Sequence, residues 1–402
     1  MSTIKRAYRG GRTFLNAVRA LGITQTPTAW RFALGLPFPV GSDHEHLAAT
    51  VAWLCAAQDN GGGEGVSAVY YLRSGWDAPY PETSGYILAT FLACGDYFND
   101  PELADRARRI GNWEISIQAP SGGIYSRPGF AQTRVFNTGQ VILGWCALFE
   151  RTGDQRYLDA AKRAGEYLAR IQDVDGSWKI DTHCGARTYH ARTDWGLLRL
   201  AKLSGESRYA EIACKNLRWV MQQQQENGWF RNCGFNNDDP ITHVIDYTLI
   251  GVLESSLLEP GIFDCKPTEL IGRCAEAVCD IVENSYLGGI RGMIPASFDA
   301  NWCSRDNYSC LTGNAQLAYT LLRLYGLTGI RRYATCADSL ISALKRTQAL
   351  NGTPIVVRGA VPGSFPMCHG YLANGFPNWS AKFFADALLA SLKRDEGFHI
   401  TA

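Results

Sequence analysis

Several features are missing from this chain. No run of about 18 apolar residues occurs, so no transmembrane helix is expected. Charge of one sign is also missing. The 39 Lys and Arg and 38 Asp and Glu leave a formal net charge of +1, which gives no global pull toward nucleic acid. No acidic residue precedes Asp43, whereas Lys5, Arg6, Arg9, Arg12 and Arg19 do. That basic start lacks the apolar core of a signal segment, because the stretch from Phe32 to Val40 is short and broken by Pro37 and Pro39. A cytoplasmic protein is expected, with residues 1–42 as a basic extension that is solvated or in weak contact with an anionic membrane surface. No strand-like alternation of any weight appears. The 13 cysteines are odd in number, and Cys55, Cys94, Cys146, Cys214 and Cys279 fall on helical faces. Buried free thiols in a reducing compartment fit that pattern better than disulfides.

What the chain does have is a repeat. A Gln closes an amphipathic run and a Gly follows four residues later, at Gln58/Gly62, Gln118/Gly122, Gln172/Gly176, Gln224/Gly228 and Gln348/Gly352, with Ser285/Gly289 filling the fifth register. The Gly-to-Gly steps are 60, 54, 52, 61 and 63 residues, the mark of one supersecondary unit copied six times. In the third unit Tyr157, Ala161, Ala164, Leu168 and Ile171 form a one-sided helix. A long loop follows, and then a run around Trp195, Leu197, Leu198 and Leu200 that is apolar nearly all round and therefore buried. The fold expected is all-α, an (α/α)6 toroid of six helical hairpins over residues 43–402. At 46% hydrophobic, 402 residues can bury one large core.

Each long loop precedes an inner helix, so all six should gather at the end of the ring where the inner helices begin. Loops of this length without regular structure usually carry function. Helix N-termini aimed at one bowl favour an anionic ligand. At the entries to the inner helices stand Glu82, Asn137, Asp194, His243 with Asp246, Asn314 and Asn378, with Thr83, Thr138, Thr193, Thr242 and Thr312 beside five of them as the natural caps. His243 and Tyr247, four apart, share a helix face. The same loops are rich in aromatics that could stack on sugar rings, among them Trp76, Tyr80, Trp229 and Trp379. They also carry Arg73, Arg127, Arg134, Arg187 and Arg192, whose guanidinium groups match carboxylates.

Gln172-Asp-Val-Asp-Gly-Ser-Trp178 resembles the repeat signature of triterpene cyclases, but no acidic cluster of their kind follows; the nearest run is Asn236-Asn237-Asp238-Asp239. Cys368-His369-Gly370 with Cys310 resembles the zinc site of lanthionine cyclases, though eight residues separate it here from the inner helix. Otherwise neither a metal nor a cofactor is implied. Three further segments are similar to a family of bacterial helical-toroid proteins encoded with exopolysaccharide genes: Tyr80-Pro-Glu-Thr-Ser-Gly-Tyr86, Asn227-Gly-Trp-Phe230 continuing to Pro240-Ile-Thr-His-Val-Ile-Asp-Tyr247, and Phe376-Pro-Asn-Trp-Ser-Ala-Lys-Phe-Phe-Ala-Asp386. The resemblance implies a glycan substrate and marks Glu82, His243, Asn378 and Trp379.

Together these features point to an enzyme acting on an acidic oligo- or polysaccharide. A lyase or epimerase would use His243, Tyr80 or Tyr247 as base, with Asn137 and Arg134 at the developing enolate. A hydrolase would use Glu82 with Asp194 or Asp246. The remaining substrate contacts expected are Trp76, Trp229, Asn314, Asn378 and Trp379. The rival readings are a non-catalytic glycan-binding scaffold and a terpene or peptide cyclase.

Overall fold

The computed structural model describes residues 26–396 apart from 128, 353 and 369; the basic residues Lys5 to Arg19 and His369 therefore lie outside the described residues. A short helix, α1 (Pro27–Leu34), precedes six outer helices: α2 (Asp43–Asn60), α4 (Pro101–Ser116), α6 (Gln155–Ile171), α8 (Ser207–Met221), α10 (Pro267–Asn284) and α12 (Arg331–Lys345). They alternate with six inner helices: α3 (Pro81–Phe98), α5 (Val135–Thr152), α7 (Ala191–Ser204), α9 (Thr242–Leu258), α11 (Leu311–Thr328) and α13 (Asn378–Leu392). Each inner helix packs on the next, and α13 packs on α3, which closes the ring. In α6 the apolar stripe Tyr157, Ala161, Ala164 and Leu168 is buried, while the first fourteen residues of α5 are buried on every side. This is the expected (α/α)6 toroid.

The pairing differs from the expected order in one respect. The closest pairs are an inner helix and the outer helix after it, α3 with α4 and so on to α11 with α12. The sixth pair is α13 with α2, brought together from the two ends of the fold. The turns inside these pairs are short because a residue in the left-handed conformation stops the inner helix, as at Gly153, Gly205 and Gly329. The long connection runs instead from an outer helix into the inner helix of the next pair, so each loop bridges a seam. Within the expected extension, α1 buries Ala29 and Phe32, the latter edge-on to Phe376 at 5.0 Å.

The repeated Gln stitches these seams. Gln118 Nε2 donates to the Gly122 carbonyl at 2.8 Å and to the Ala160 carbonyl of the next outer helix at 3.0 Å. Gln172 does the same to Gly176 and Ile212, both at 2.9 Å. Gln58 reaches Glu64 and Arg106, and Gln224 reaches Leu270. At the closing seam Gln348 donates to Gly359 O and Thr50 Oγ1 and accepts at His46, all within the core. In the second to fourth units the glycine partner has positive φ and no room for a side chain; a Cβ on Gly122 would strike the Arg163 carbonyl oxygen, whereas Gly62 in the first unit faces open space. By this contact the fifth-unit glycine is Gly292, against the Ser339 carbonyl, and not Gly289, which faces open space. The sixth is Gly359, against the Ala49 carbonyl, and not Gly352. Short insertions in those turns hide the true spacing.

The long loops join into a belt. Short strands β1 (Val69–Tyr71), β2 (Gly75–Trp76), β3 (Tyr286–Leu287), β4 (Ile290–Arg291), β5 (Ser309–Cys310), β6 (Ser364–Phe365) and β7 (Gly375–Pro377) lie within them. β1 pairs with β7 and β5 with β6, antiparallel, tying the first loop to the sixth and the sixth to the fifth. An Ile241–Ser297 bridge ties the fifth to the fourth, Thr188 N donates to Asn232 O between the fourth and third, and Val135 N donates to Asp181 O between the third and second. Five of the six junctions between neighbouring loops on one rim are thus hydrogen-bonded, running from the second loop round to the first as a collar. Replacing Gln172 by Leu removes two seam bonds and leaves the Gly176 carbonyl with only its longer bond from Asn216 Nδ2, so the variant should lose about 1–3 kcal/mol in urea unfolding. Val174→Ser, at a fully exposed position two residues on, should stay within about 0.5 kcal/mol of the parent.

Candidate active site

The collar surrounds a cavity of ≈ 590 Å³ floored by the first turns of inner helices. Its lining comes from α3 (Glu82, Thr83), α9 (His243) and α13 (Trp379), and from loops carrying Tyr80, Arg127, Phe130, His183, Phe235 and Tyr371. Four expected residues therefore meet here: Tyr80, Glu82, His243 and Trp379.

Glu82 stands at the second position of α3. The Tyr80 hydroxyl donates to its carboxylate at 3.0 Å. Removal from water lifts the Glu82 carboxyl to about 7; the Tyr80 bond and the Arg192 charge oppose the rise. Tyr80 remains a phenol, since burial and the neighbouring carboxylate push its ionisation well above the ordinary value. Burial acts in the opposite sense on the His243 imidazole and lowers it to about 4. His243 Nδ1 lies 2.7 Å from Gln316 Oε1. Its ring is flanked by Tyr247 at 4.5 Å and Tyr371 at 5.7 Å. Trp379 Nε1 donates to the Tyr371 hydroxyl at 2.9 Å, which fixes that aromatic wall. Arg127 and Phe130 are exposed on the second loop at the mouth, and His183 enters from the third.

Other expected residues lie elsewhere. Asp194 is fully buried on the side of α7 that faces α8, near enough to raise the Cys214 thiol. Its carboxyl has no hydrogen-bond partner among the described residues, and burial pushes its ionisation well above the ordinary carboxylate range. Asp246 sits below the floor, accepting from Thr320 at 2.7 Å in a sealed space shared with Arg192, Lys382 and Asp386. Tyr247 packs beneath His243 with its hydroxyl on Tyr86, outside the cavity lining.

Asn137, Asn314 and Asn378 are fully buried braces. Their amides donate to loop groups: Tyr125 O and Ser126 O, Ser309 Oγ and Cys310 O, and Val66 O and Ser67 O. The threonines do not cap either; none of the inner helices has a side-chain capping bond, and Thr83 and Thr138 lie inside the first turn, returning to carbonyls three and four residues back. Trp76 packs on Trp53 and Tyr70 behind the rim. Arg134 donates to Thr182 O. Trp229 stacks edge-on to Trp302 in a separate depression on the fourth loop. The Cys368 thiol bonds Ala33 O, the Cys310 thiol is buried by Thr242, and among the described residues no three His, Cys, Asp or Glu are grouped to hold a metal.

Below the floor lies a charged cluster in which Arg192 was expected at a substrate carboxylate and Lys382 and Asp386 were not singled out. The Arg192 guanidinium donates from Nε to Gln140 Oε1 at 2.6 Å and is surrounded by Tyr86, Trp195, Tyr247 and Phe383 at 5.2–5.7 Å. Lys382 pairs with Asp386, which also accepts from Thr90. Its ammonium is lowered to about 8, chiefly by burial. The signal for these residues was polarity inside an otherwise apolar inner helix. Replacing Tyr80 by Phe removes the donor that favours the ionised form, so the Glu82 carboxyl should titrate above 7. Infrared or carbon NMR titration with isotope-labelled Glu checks this, and an unchanged midpoint would contradict the assigned bond.

No family model matches the sequence, and no curated protein is similar to it. Solved structures are similar in fold. Unsaturated glucuronyl hydrolase from Bacillus sp. GL1 superposes with a TM-score of 0.68 at 13% identity, covering 86% of this chain and 96% of that one. An unsaturated glucuronyl hydrolase specific for heparin gives 0.68 at 14% identity, over 88% and 99%. Cellobiose 2-epimerase from Bacillus thermoamylovorans gives 0.68 at 9% identity, over 85% and 97%. At these identities the likeness establishes a shared (α/α)6 toroid.

Proposed function

We propose that the protein is a carbohydrate-active enzyme that transfers protons on a uronate-containing oligo- or polysaccharide, as a lyase or an epimerase. The observation that carries this reading is one cavity holding a carboxyl that titrates at about 7 and an imidazole that titrates at about 4. The solved toroids named above, which include hydrolases of unsaturated glucuronides and sugar epimerases, support the substrate class. The resemblance to exopolysaccharide-associated toroids supports a cytoplasmic role on such a polymer or its lipid-linked precursor. Nucleic acid has no part in this reading, and the basic N-terminal arm would supply at most a weak membrane contact.

In the reaction, His243 Nε2 takes the proton from C5, α to the uronate carboxylate. Arg127, at the mouth, takes the part first given to Arg134 and balances the charge that moves onto the carboxylate. For elimination, protonated Glu82 gives its proton to the leaving oxygen at C4 as that C–O bond breaks and the C4–C5 double bond forms. For epimerisation, Glu82 returns a proton to the other face of C5. A two-carboxylate hydrolase loses both of its expected second carboxylates, because Asp194 and Asp246 lie outside the cavity. Only Asp77, exposed at the mouth, could replace them.

Activity on uronides should follow a bell in pH. It falls below about 4, where His243 takes up a proton, and above about 7, where Glu82 loses one. His243→Asn and Glu82→Gln should each cost about 10²–10⁴ in kcat, while Asp194→Asn and Asp77→Asn should leave turnover near the parent value. Ultraviolet absorbance of a new unsaturated uronate marks elimination, and exchange of the C5 proton in deuterium oxide marks epimerisation. A protein that binds uronides but does neither would overturn the reading. Loss of cleavage in Asp77→Asn would transfer it to hydrolysis.

A further inference from the structure

Among the described residues, the hydrogen bond of the His243 ring is through Nδ1, which lies 2.7 Å from Gln316 Oε1 on α11. An amide oxygen only accepts, so Nδ1 carries the proton and Nε2 keeps its lone pair. This is the tautomer that a free histidine side chain disfavours in water. The far end of Gln316 explains why its oxygen faces the ring. Its Nε2 has no hydrogen-bond partner among the described residues, and the residue lines a sealed space of ≈ 10 Å³ together with Asp246 and Arg192. That space is about large enough for one water. Its wall includes the Asp246 carboxyl, which calls for donors. With the amide turned round, the oxygen would face that carboxyl and the NH₂ would face Nδ1. Gln316 is 1% exposed, so bulk water does not reach its amide.

We propose that Gln316 is a positioning residue: its amide locks His243 in the Nδ1–H form, which leaves Nε2 as the base, and does so without bringing a negative charge. The other titratable groups around the ring are Tyr247 on its own helix, Tyr371 from the last loop, Glu82 across the cavity and Arg192 from α7. Tyr247 and Tyr371 remain neutral phenols, burial being the main cause, and Arg192 further disfavours a charged imidazole. Burial and the Arg192 charge therefore keep His243 unprotonated where Glu82 still holds its proton, and the Gln316 bond, which favours the charged ring, carries no negative charge to reverse this. A carboxylate in place of Gln316 would give the same tautomer but draw a proton onto the ring.

The inference rests on the reading of His243 as a base, but its primary readout does not require turnover. Nitrogen-15 histidine spectra, assigned by loss of the His243 signal in His243→Asn, report the tautomer directly. The wild type should show Nδ1–H, and Gln316→Met, similar in size, should move the ring to Nε2–H. Gln316→Glu should keep Nδ1–H while raising the midpoint by about one unit or more, which would shift the acid limb of any pH profile upward. An Nε2–H wild type, an unchanged tautomer in Gln316→Met or an unmoved midpoint in Gln316→Glu would each overturn the proposal. If Gln316→Met does not fold, the near-isosteric Glu variant decides. Absence of activity on every uronide alongside the expected spectra would remove the base assignment and leave the tautomer lock standing.

Discussion

The carboxamide of a glutamine at five of the six seams, with Ser285 at the other, is the interaction on which the rest of this structure depends. A Gln side chain has two N–H donors, and here they are divided between the carbonyl of its own turn and a carbonyl on the next outer helix. Each bond is worth about 1 kcal/mol net, but leaving a buried carbonyl without one costs more. The consequence is geometric as well as energetic. Because the chain is held at the start of every long loop, all the loops leave on the same side, and their strands and bridges can join into a collar. At the last seam the partner is the Thr50 side chain, with His46 on the amide oxygen, so the N-terminal outer helix is tied to the turn that follows the last outer helix, α12.

That collar creates a desolvated floor, and desolvation has opposite effects on the two kinds of titratable group there. It raises a carboxyl and lowers an imidazole. Glu82 rises from 4.5 to about 7 and His243 falls from 6.5 to about 4, each a differential of about 3 kcal/mol between its two protonation states. The ordinary order of acid and base is inverted. Between those values the acid keeps its proton and the base lacks one, which is the pair of states that proton transfer across a sugar needs. Arg192 moderates the rise of Glu82 from below, while it adds to the fall of His243. Without its charge Glu82 would rise further, and a carboxyl raised too far would release its proton too reluctantly to act as an acid.

The architecture was legible in the sequence because it is written in period and polarity. Inner and outer helices differ in whether their apolar residues cover one face or all faces, as α6 and α5 show. The Gln-to-Gly spacing fixed the seams wherever the turn had its minimal length. It misassigned Gly289 and Gly352 because the turns near Gly292 and Gly359 carry insertions, and Gly62 likewise makes no contact, Gln58 bonding Glu64 O; only contact with the neighbouring outer helix identifies a working glycine. The partnering of α13 with α2 was not legible, because nothing local says which side of a seam holds a helix more tightly.

The site was half legible for a related reason. A polar residue in the first turn of an inner helix has two possible destinations, the loop in front of it or the centre of the ring. Ser84, Thr138 and Asn314 take the first, each accepting from the backbone N–H of its loop at Val66, Ile124 or Ile294. Two residues later, about 200° around the helix, Tyr86, Gln140 and Gln316 take the second. Tyr86 and Gln140 meet Arg192, and Gln316 meets His243. Sequence spacing located the turn but not the rotation within it, so Asn137 and Asn314 were assigned to the substrate when they belong to the loops. Once one loop-anchored residue is known in a unit, helix geometry places the inward-facing one. The two inner-helix glutamines at that position are thereby distinguished from the seam glutamines that opened the repeat. They have the same side chain and the same capacity to bond in two directions, but they act at the centre of the ring, where one bonds the Arg192 guanidinium and the other orients an imidazole.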